Sequence, residues 1–387
     1  MRRSVAGQYV EAVTSGEVVR AFVPSPLPPT PPLVLDAELS RMLDRALVAL
    51  GRLDGVSQHL PDPHLFLYAY VRREAVLSSQ IEGTQSSLSD LLLFELDEAP
   101  GVPFDDVIEV SNYVAALQHG LDRVRGGFPL SNRLIREVHE VLLSRGRGAG
   151  KLPGEFRRSQ NWIGGTRPGD AHFVPPPPSH VEECMSQLEQ YLHDDRHHPP
   201  VLVRAALAHV QFETIHPFLD GNGRVGRLLI PLLLTVNDVL HEPLLYLSLY
   251  FKQHRARYYA LLDGVRTNGE WEEWLRFFVT GVEETATAAT DTAHELMRIS
   301  RTDREKVKAS GRTAGSALLV HEALLAHPVT NISQVAKQSG LSVPAVTDAF
   351  KLLGLLGIAS EITGRKRGKV FAYRAYMEVL QRGLEPL

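Results

Sequence analysis

Apolar residues recur every three or four positions along most of this chain, the spacing that places them on one face of an α-helix. Residues 35–55, LDAELSRMLDRALVALGRLDG, and residues 65–84, LFLYAYVRREAVLSSQIEGT, both show it, and each has a glycine at or near its end. A mainly α fold is therefore expected. The same spacing predicts further helices at residues 104–121, 131–143 (with Ser131 as its cap), 181–194, 201–215, 225–236 and, in several pieces, 254–297.

Three stretches depart from the helical spacing. Residues 1–32 show no periodicity and end in PSPLPPTPP, which predicts an irregular segment with an extended end on the surface. Residues 154–180 are rich in Gly and Pro, and NWIGG and HFVPP flank the turn signal TRPGDA, so Asn161 to Val174 is predicted to form a β-hairpin. The apolar run LLYLSLYF, residues 244–251, is a candidate strand.

The last part of the chain, residues 314–387, has a pattern of its own: helix, helix, turn, helix, hairpin. Gly340 and Ser342 mark a turn between two helices, and Pro344 suits the first turn of the second. Residues 362–373 are expected to form the hairpin. This order resembles a winged helix-turn-helix domain.

Composition narrows the class of protein. The chain has 387 residues, 44% hydrophobic content and a net charge of −4, so nothing global indicates a nucleic-acid or anionic-membrane protein. A single cysteine, Cys184, excludes an internal disulfide and a cysteine-based zinc site. The N-terminus lacks the apolar region of a signal peptide, and the longest apolar run, residues 228–236, is too short to span a membrane. A cytoplasmic protein is expected.

Residues 221–226, GNGRVG, match G-x-G-x-x-G, the pattern of a dinucleotide-binding loop. Such a loop needs a strand before it and an acidic residue about 20 positions later, at the end of a second strand. Here the preceding residues 201–215 are helical, and Glu242 precedes the candidate strand. The NAD interpretation is therefore disfavoured, and no Walker sequence occurs.

The same loop has the parts of a phosphate site. Gly221, Asn222 and Gly223 can turn successive backbone N–H groups into one hollow at the start of a helix, where the helix dipole also attracts anions. Arg224 and Arg227 share a face of the first helical turn and suit phosphate oxygens. Each feature alone is usually a turn or a surface residue. Together within twelve residues, with Asp220 as a ligand for Mg²⁺ and His216 as a base, they indicate phosphoryl or nucleotidyl transfer to a hydroxyl.

Residues 216–227, HPFLDGNGRVGR, resemble the H-x-F-x-[DE]-G-N-G-R-x-x-R signature of Fic-domain proteins at every defining position. The resemblance implies a helical bundle that transfers AMP from ATP, with Mg²⁺, to a Ser, Thr or Tyr hydroxyl of a protein. His216 would take the hydroxyl proton and Asp220 would hold Mg²⁺, while the nest and the two arginines would hold the phosphates. A related branch transfers phosphate instead, and it usually departs from this loop, for instance at Gly223.

The resemblance also assigns the predicted hairpin as a flap to which a target segment adds by backbone pairing. The docking residues would be Trp162, Ile163, Gly164, Phe173 and Val174, and a purely structural hairpin is the alternative. The aromatic residues Tyr258, Trp271 and Trp274 are expected in the core first, and against a nucleotide base only second.

Residues 78–83, SSQIEG, resemble the inhibitory motif [ST]-x-x-x-E-[GN] of the same family. Ser78 and Glu82 would be its defining residues, with Glu82 paired to Arg227 in the place of the ATP γ-phosphate. The alternative is an ordinary helix with Gly83 as its C-cap. A role for Glu82 in activating water to remove AMP stays open as well.

The expected division of the chain is an extended segment (1–33), a region with the inhibitory helix (34–100), the Fic core (101–285), a linker (286–313) and the winged-helix domain (314–387).

The hairpin of that last domain carries a basic run suited to DNA phosphates, whereas its recognition helix offers only Thr347, Asp348 and Lys351 to bases, so protein docking is the alternative. A DNA-binding regulator whose Fic core senses nucleotide is the rival function. Labelling of the chain itself and homodimer formation are left open. The basic run comprises Arg365, Lys366, Arg367 and Lys369.

Overall fold

A computed structural model describes residues 5–14, 16–59, 63–96, 102–194, 199–311 and 314–385. Over these ranges the chain is mainly helical. The helices are α1 (Ala37–His59), α2 (Pro63–Ile81), α3 (Leu88–Phe94), α4 (Phe104–Arg125), α5 (Asn132–Leu142), α6 (Pro178–Leu192), α7 (Val201–Ile215), α8 (Asn222–Val236), α9 (Ser248–Gln253), α10 (Arg255–Asn268), α11 (Trp271–Lys308), α12 (Ala314–Ala326), α13 (Ile332–Ser339), α14 (Val343–Leu355) and α15 (Arg374–Leu380). The strands are β1 (Gly7–Thr14), β2 (Glu17–Pro24), β3 (Val329–Asn331), β4 (Ala359–Glu361) and β5 (Val370–Tyr373).

Helices α7 and α8 pack together at the centre of the bundle. Every residue of α7 after the first is buried, which suits an Ala-rich helix that is apolar on nearly all sides. The indole N–H of Trp274 in α11 donates to the carbonyl of Ala206 at 2.9 Å, so α11 packs on α7. Because α7 and α8 have fixed neighbours, the loop that joins them is held at both ends.

The sequence predicted the main helices correctly. The helix expected at residues 201–215 is α7 residue for residue, and the Ser131 hydroxyl caps α5 by accepting a hydrogen bond from the Leu134 N–H at 3.4 Å. Helix α8 begins three residues before the expected Val225, because Gly221 adopts φ 75° and acts as its N-cap. Among the described residues, no helix has the length and apolar character that crossing a membrane requires.

The prediction for the N-terminal segment was wrong in its first part. Residues 7–14 and 17–24 form an antiparallel pair, β1 and β2, rather than an irregular segment, whereas residues 25–32 contain no helix or strand and are mostly exposed. Strand β2 buries Ala21, Phe22 and Val23, and the Phe22 N–H donates to the carbonyl of Val174 at 2.9 Å. Besides its neighbour β1, strand β2 thus contacts a residue about 150 positions later, and local periodicity alone does not reveal such a contact.

Two further strand predictions need correction. Residues 244–247 join no sheet, and residues 248–253 form helix α9, because a buried apolar run is equally compatible with a helix when its neighbours are helices. The hairpin expected over residues 161–174 has the predicted antiparallel pairing only at one bridge, Ile163 to Phe173, and a short 3₁₀ turn at residues 168–170 lies between them.

The last part of the chain forms a three-stranded antiparallel sheet in the order β3-β5-β4, with α13 and α14 joined by a turn at Gly340. Helix α11 runs unbroken for 38 residues through the expected boundary at residues 285–286. The expected boundaries at residues 100–101 and 313–314 touch residues outside the described ranges. The domain division therefore stays a prediction.

Candidate functional site

The loop between α7 and α8 begins at His216, which adopts the left-handed conformation (φ 50°, ψ 58°) that L-residues other than glycine rarely take. The backbone N–H of His216 donates to the Phe212 carbonyl at 2.9 Å. Such a conformation costs about 1–3 kcal/mol and persists only where its surroundings impose it. Here it turns the chain sharply at the end of α7, into the loop that leads to α8.

Arg157, which sequence reasoning missed, fixes this turn. Its guanidinium is buried and donates from Nε to the His216 carbonyl at 2.9 Å and from Nη2 to the Pro176 carbonyl at 2.5 Å. The Arg157 backbone N–H donates to the Pro217 carbonyl at 2.8 Å. Burial lowers the pKa of Arg157 to about 10, which leaves it charged at neutral pH. Nothing in the local pattern distinguishes this arginine from the surface arginines around it.

The rest of the loop is closed by Asn222 and His139. The Asn222 side-chain amide accepts from the Phe218 N–H and donates to the Phe218 carbonyl, both at 2.8 Å. The Gly154 N–H donates to His139 Nδ1, so Nε2 carries the proton and donates to the Asp220 carbonyl at 3.1 Å. The His139 ring also stacks on Phe218 at 3.6 Å. Asn222, predicted to line the nest, thus shapes the loop as well.

The imidazole of His216 is suited to accept a proton. Its Nδ1 is buried with no hydrogen-bond partner among the described residues. Burial first, and then the charges of Arg157 and Arg266, lower the pKa of His216 to about 4. The ring is therefore neutral at physiological pH, in the form that a general base requires.

A carboxylate already lies against the first turn of α8. A Cβ placed on Gly223 would be 2.3 Å from Glu82 Oε1, so only glycine leaves room for Glu82 there. Arg227, with a side chain only 2% exposed, donates from Nη2 to Glu82 Oε1 at 2.6 Å and from Nε to the Ser78 hydroxyl at 2.8 Å. The structure therefore brings together the predicted residues Ser78, Glu82, Gly223 and Arg227.

The charges of this pair stabilise each other. Burial alone would raise the pKa of Glu82, but the charge of Arg227 and its hydrogen bond outweigh burial and lower that pKa below its ordinary value. Burial would likewise lower the pKa of Arg227, and the charge of Glu82 outweighs it and raises that pKa. Both groups are ionised at neutral pH, and an anion held by a helix N-terminus and an arginine is what the nest was predicted to bind.

The other two predicted charged residues have different surroundings. Arg224 is buried and donates to Glu109 of α4 at 3.2 Å, and its Nη2 lies 3.6 Å from Asp220 Oδ1. Asp220 Oδ1 also accepts from the Gly221 N–H at 2.6 Å, and its side chain is 42% exposed. One accessible carboxylate beside the predicted phosphate nest fits Mg²⁺, which binds one or two protein carboxylates and completes its shell with phosphates and water.

Glu213 is a second site residue that the sequence pattern missed. It is buried in α7, three residues before His216, and its Oε1 lies 2.4 Å from the position of a Cβ on Gly226. Burial raises the pKa of Glu213 to about 7; Arg227 lowers it in part. The close approach explains the glycine at position 226, since a methyl group there would clash with this carboxyl group.

The predicted flap residues meet at one bridge. Ile163 and Phe173 exchange two backbone hydrogen bonds of 2.8 and 3.1 Å, and the Arg266 guanidinium lies 4.0 Å from the centre of the Phe173 ring. Because the Val174 carbonyl accepts from Phe22, strand β2 flanks the 173–174 side. Trp162 and Gly164 therefore lie on the outer edge of this small sheet.

The expected aromatic residues are buried in the core. Tyr258, Trp271 and Trp274 are each at most 3% exposed. His209 Nδ1 lies 2.9 Å from the Gly226 carbonyl, to which it must donate, so His209 Nε2 accepts from the Tyr258 hydroxyl at 2.8 Å. Through the Gly226 carbonyl, His209 and Tyr258 therefore hold the first turns of α8 against the core.

Comparison with family models identifies two matching regions: residues 40–122 match the Fic/DOC family N-terminal region and residues 129–234 match the Fic/DOC family. Curated relatives include the protein adenylyltransferase Fic of Culex quinquefasciatus, 33% identical over 179 residues, and that of Aedes aegypti, 37% identical over 135 residues. These alignments cover 44% and 34% of this chain, but only 33% and 24% of the two relatives. The chain thus matches a third or less of the length of these relatives.

Solved structures support the fold. A Fic family protein from Desulfovibrio desulfuricans G20 aligns with a TM-score of 0.60 at 18% identity, over 89% of this chain and 98% of that one. Fic-1 of C. elegans aligns with a TM-score of 0.51 at 23% identity, over 68% and 73%.

Proposed function

The chain belongs to the Fic/DOC family, and we propose that it transfers AMP from ATP to a Ser, Thr or Tyr hydroxyl of a protein. The observation that carries the proposal is a neutral, partly buried imidazole that interacts electrostatically with Glu82, the carboxylate that lies against the N-terminus of α8. A base and an anion site at this spacing are the two requirements for moving a nucleotidyl group to an alcohol.

In the proposed reaction, His216 takes the proton of the target hydroxyl. The hydroxyl oxygen then forms a bond to the α-phosphorus of ATP, the bond from that phosphorus to the bridging oxygen breaks, and pyrophosphate leaves. Arg157 keeps His216 in its strained position, while the α8 N-terminus, Arg224 and Arg227 bind the phosphates. Asp220 would hold Mg²⁺, which neutralises phosphate charge when bound.

Glu82 is proposed to inhibit this reaction in the conformation described. It occupies the hollow at Gly223 and the guanidinium of Arg227, which are the groups proposed to hold the outer phosphates. A carboxylate at this position competes with the triphosphate for the clamp and repels its charge. Activation of water by Glu82 for removal of AMP is the alternative role of the same carboxylate.

The protein target is proposed to add a strand at the outer edge formed by Trp162 to Gly164. Strand β2 flanks the other side at Val174, so pairing with a target is proposed at the Trp162 to Gly164 side. Backbone pairing positions a hydroxyl largely without regard to its neighbouring side chains, so the chain itself is also a candidate substrate.

Incubation with ATP labelled in the α-phosphate tests the activity. We expect label on protein with the native chain and none with His216→Ala. The control is His294→Ala, which changes an exposed histidine of α11 far along the chain from the loop. Labelling that persists in His216→Ala would refute the role of this imidazole. An absence of labelling in the native chain and in Glu82→Gly would refute the transfer activity.

The second candidate function is DNA binding by the last part of the chain. Arg365, Lys366, Arg367 and Lys369 are all exposed in the loop between β4 and β5, which supports phosphate contacts. On α14, however, Lys351 is engaged with Asp348 at 2.8 Å and the Thr347 hydroxyl donates to the Val343 carbonyl, so bases would meet few unengaged side chains. Retention on duplex DNA at moderate salt, lost when the four basic residues become serine, would support a regulator. The winged-helix assignment, the formation of a homodimer and the cytoplasmic location remain predictions.

A further inference from the structure

A segment that follows α15 lies directly against the C-terminal end of α2, just before Glu82. Residues 382–385, Arg-Gly-Leu-Glu, are here called the docked segment, and residues Ser78–Gly83 the inhibitory segment. The two are about 300 positions apart in the chain. Leu384 is 3% exposed, and a Cβ on Gly383, at φ 78°, would be 3.0 Å from Leu249. The docked segment is therefore anchored in the protein at Leu384, while Arg382 and Glu385 are exposed.

Three buried donors bind the backbone of the docked segment. Arg73 Nη2 donates to the Arg382 carbonyl at 2.6 Å, and Gln80 Nε2 donates to the Leu384 carbonyl at 3.0 Å. Lys252 Nζ donates to the Glu385 carbonyl. All three side chains are at most 5% exposed. Buried donors need acceptors, so these three side chains form a site for the backbone carbonyls of the docked segment.

Gln80 links this site to the inhibitory segment, of which it is a member. Its side-chain oxygen accepts from Lys252 Nζ at 2.7 Å, and its amide also donates to the Ser86 carbonyl at 3.0 Å. Glu82 is two residues later, and its backbone N–H donates to the Ser79 carbonyl at 3.0 Å. Any movement of the backbone at Gln80 therefore moves Glu82.

Hydroxyl groups within and just after the inhibitory segment lack hydrogen-bond partners in the described part of the chain. The hydroxyls of Ser79, Thr84 and Ser86 are buried and have no hydrogen-bond partner among the described residues. Unsatisfied buried groups favour opening to water, so local opening of such a segment costs little unless other contacts oppose it. The hydrogen bonds from Gln80 and Lys252 are contacts of that kind.

We propose that Arg73, Gln80 and Lys252 form a binding site for residues 382–385 of the same chain, and that occupation of this site holds Glu82 against Arg227. The inhibitory consequence rests on the proposed function of Glu82; the docking site itself does not. Displacement of the docked segment would loosen the inhibitory segment and release the hollow at Gly223 for a triphosphate.

Leu384→Asp tests the proposal because it places a charge in the buried position of the docked segment. The matched control is Leu355→Asp, which makes the same change at a leucine of α14 that is 87% exposed. Gly383→Ala is a milder second variant, in which the φ of 78° strains any residue with a Cβ. Hydrogen exchange of peptides covering residues 78–87 and the initial rate of AMP transfer are measured in the full chain, with and without Glu82→Gly.

We expect exchange in residues 78–87 to rise roughly 5- to 30-fold in Leu384→Asp, the effect of losing one or two hydrogen bonds, and to rise less in Gly383→Ala and not in Leu355→Asp. The initial rate of AMP transfer should rise together with this exchange, but only in chains that retain Glu82. Unchanged exchange in a folded Leu384→Asp or Gly383→Ala variant would overturn the docking site. Equal activation in the Glu82→Gly background would overturn the coupling. The proposed function fails separately, through absence of labelling in Glu82→Gly itself, while the exchange result still decides the docking site.

Discussion

Replacement of Glu82 by glycine is the perturbation that the structure describes most completely. Glycine removes the carboxylate from the first turn of α8 and the 2.6 Å hydrogen bond to Arg227, and it leaves Arg227 with its two contacts to Ser78. Two consequences follow. The hollow at Gly223 becomes available to phosphate, and a guanidinium that is 2% exposed loses its counter-charge.

The size of the first effect follows from the contact. A hydrogen bond between charged groups contributes about 1.5–3 kcal/mol, and the lower end applies here because the Glu82 side chain is 37% exposed and partly screened by solvent. ATP that binds beside Glu82 also meets repulsion of about 1 kcal/mol or more at 4 Å in a water-like environment. Together these terms correspond to a roughly 10- to 100-fold increase in the rate of AMP transfer at limiting ATP.

The second effect gives a readout that needs no turnover. Without ATP, Glu82→Gly should unfold at a lower temperature than the native chain, because Arg227 is buried without its carboxylate. ATP should then raise the melting temperature more in Glu82→Gly than in the native chain, since the phosphate replaces the lost anion. Performing the comparison in the His216→Ala background prevents consumption of ATP.

Glu82→Gln is the matched control, because it keeps the shape and a hydrogen-bonding oxygen but removes the charge. It should give an intermediate transfer rate and an intermediate thermal shift. Transfer in Glu82→Gly no faster than in the native chain, with equal thermal shifts by ATP in both, would refute the reasoning that Glu82 and the triphosphate compete for Arg227.

Two other predictions concern residues that the sequence pattern missed. The pKa of Glu213, about 7, lies above the ordinary value of 4.5, so the folded state holds an extra proton between these values and loses stability as pH rises through them. Glu213→Gln lacks this titration. Its free energy of unfolding, measured with denaturant, should therefore rise relative to that of the native chain by up to about 3 kcal/mol between pH 4.5 and 8. A difference that does not change with pH would contradict the assignment. Arg157→Met should lower the free energy of unfolding by about 3 kcal/mol, because several buried carbonyls lose their donor. It should also reduce labelling per folded molecule, measured at low temperature. A loss of stability alone would leave that labelling unchanged.

Much of the candidate site could be predicted because its residues are neighbours in the chain. His216 to Arg227 span one helix end, one turn and one helix start, and the geometry of such a unit depends mainly on its own residue types. The glycine at 221 starts α8 by its positive φ, and the glycine at 223 leaves the space that Glu82 enters. The helical spacing of α7 was equally clear, because its apolar residues repeat over 15 positions.

Other residues could not be found by such reasoning. No sequence motif surrounds Arg157, His139 or Glu213. Their roles arise only from the groups that the fold places around them. The β1–β2 hairpin escaped detection for a related reason: strand β2 is completed by a backbone hydrogen bond to Val174, about 150 positions later. The apolar run at residues 244–251 predicts a strand as readily as a helix, because length and hydrophobicity do not distinguish a short buried helix from a strand.

By itself, then, the sequence determined the parts whose interactions are local: the helical class, the start of α8 at Gly221, and the glycine turn between His216 and Arg227 that is proposed to bind phosphate. Only the tertiary structure decided how those parts are held and covered. It lowered the pKa of His216 by burial, set Glu82 in the hollow, and brought residues 382–385 to Gln80. The physical reason is that local propensities depend on near neighbours, whereas desolvation, ion pairing and hydrogen bonding between distant segments exist only after the chain has folded.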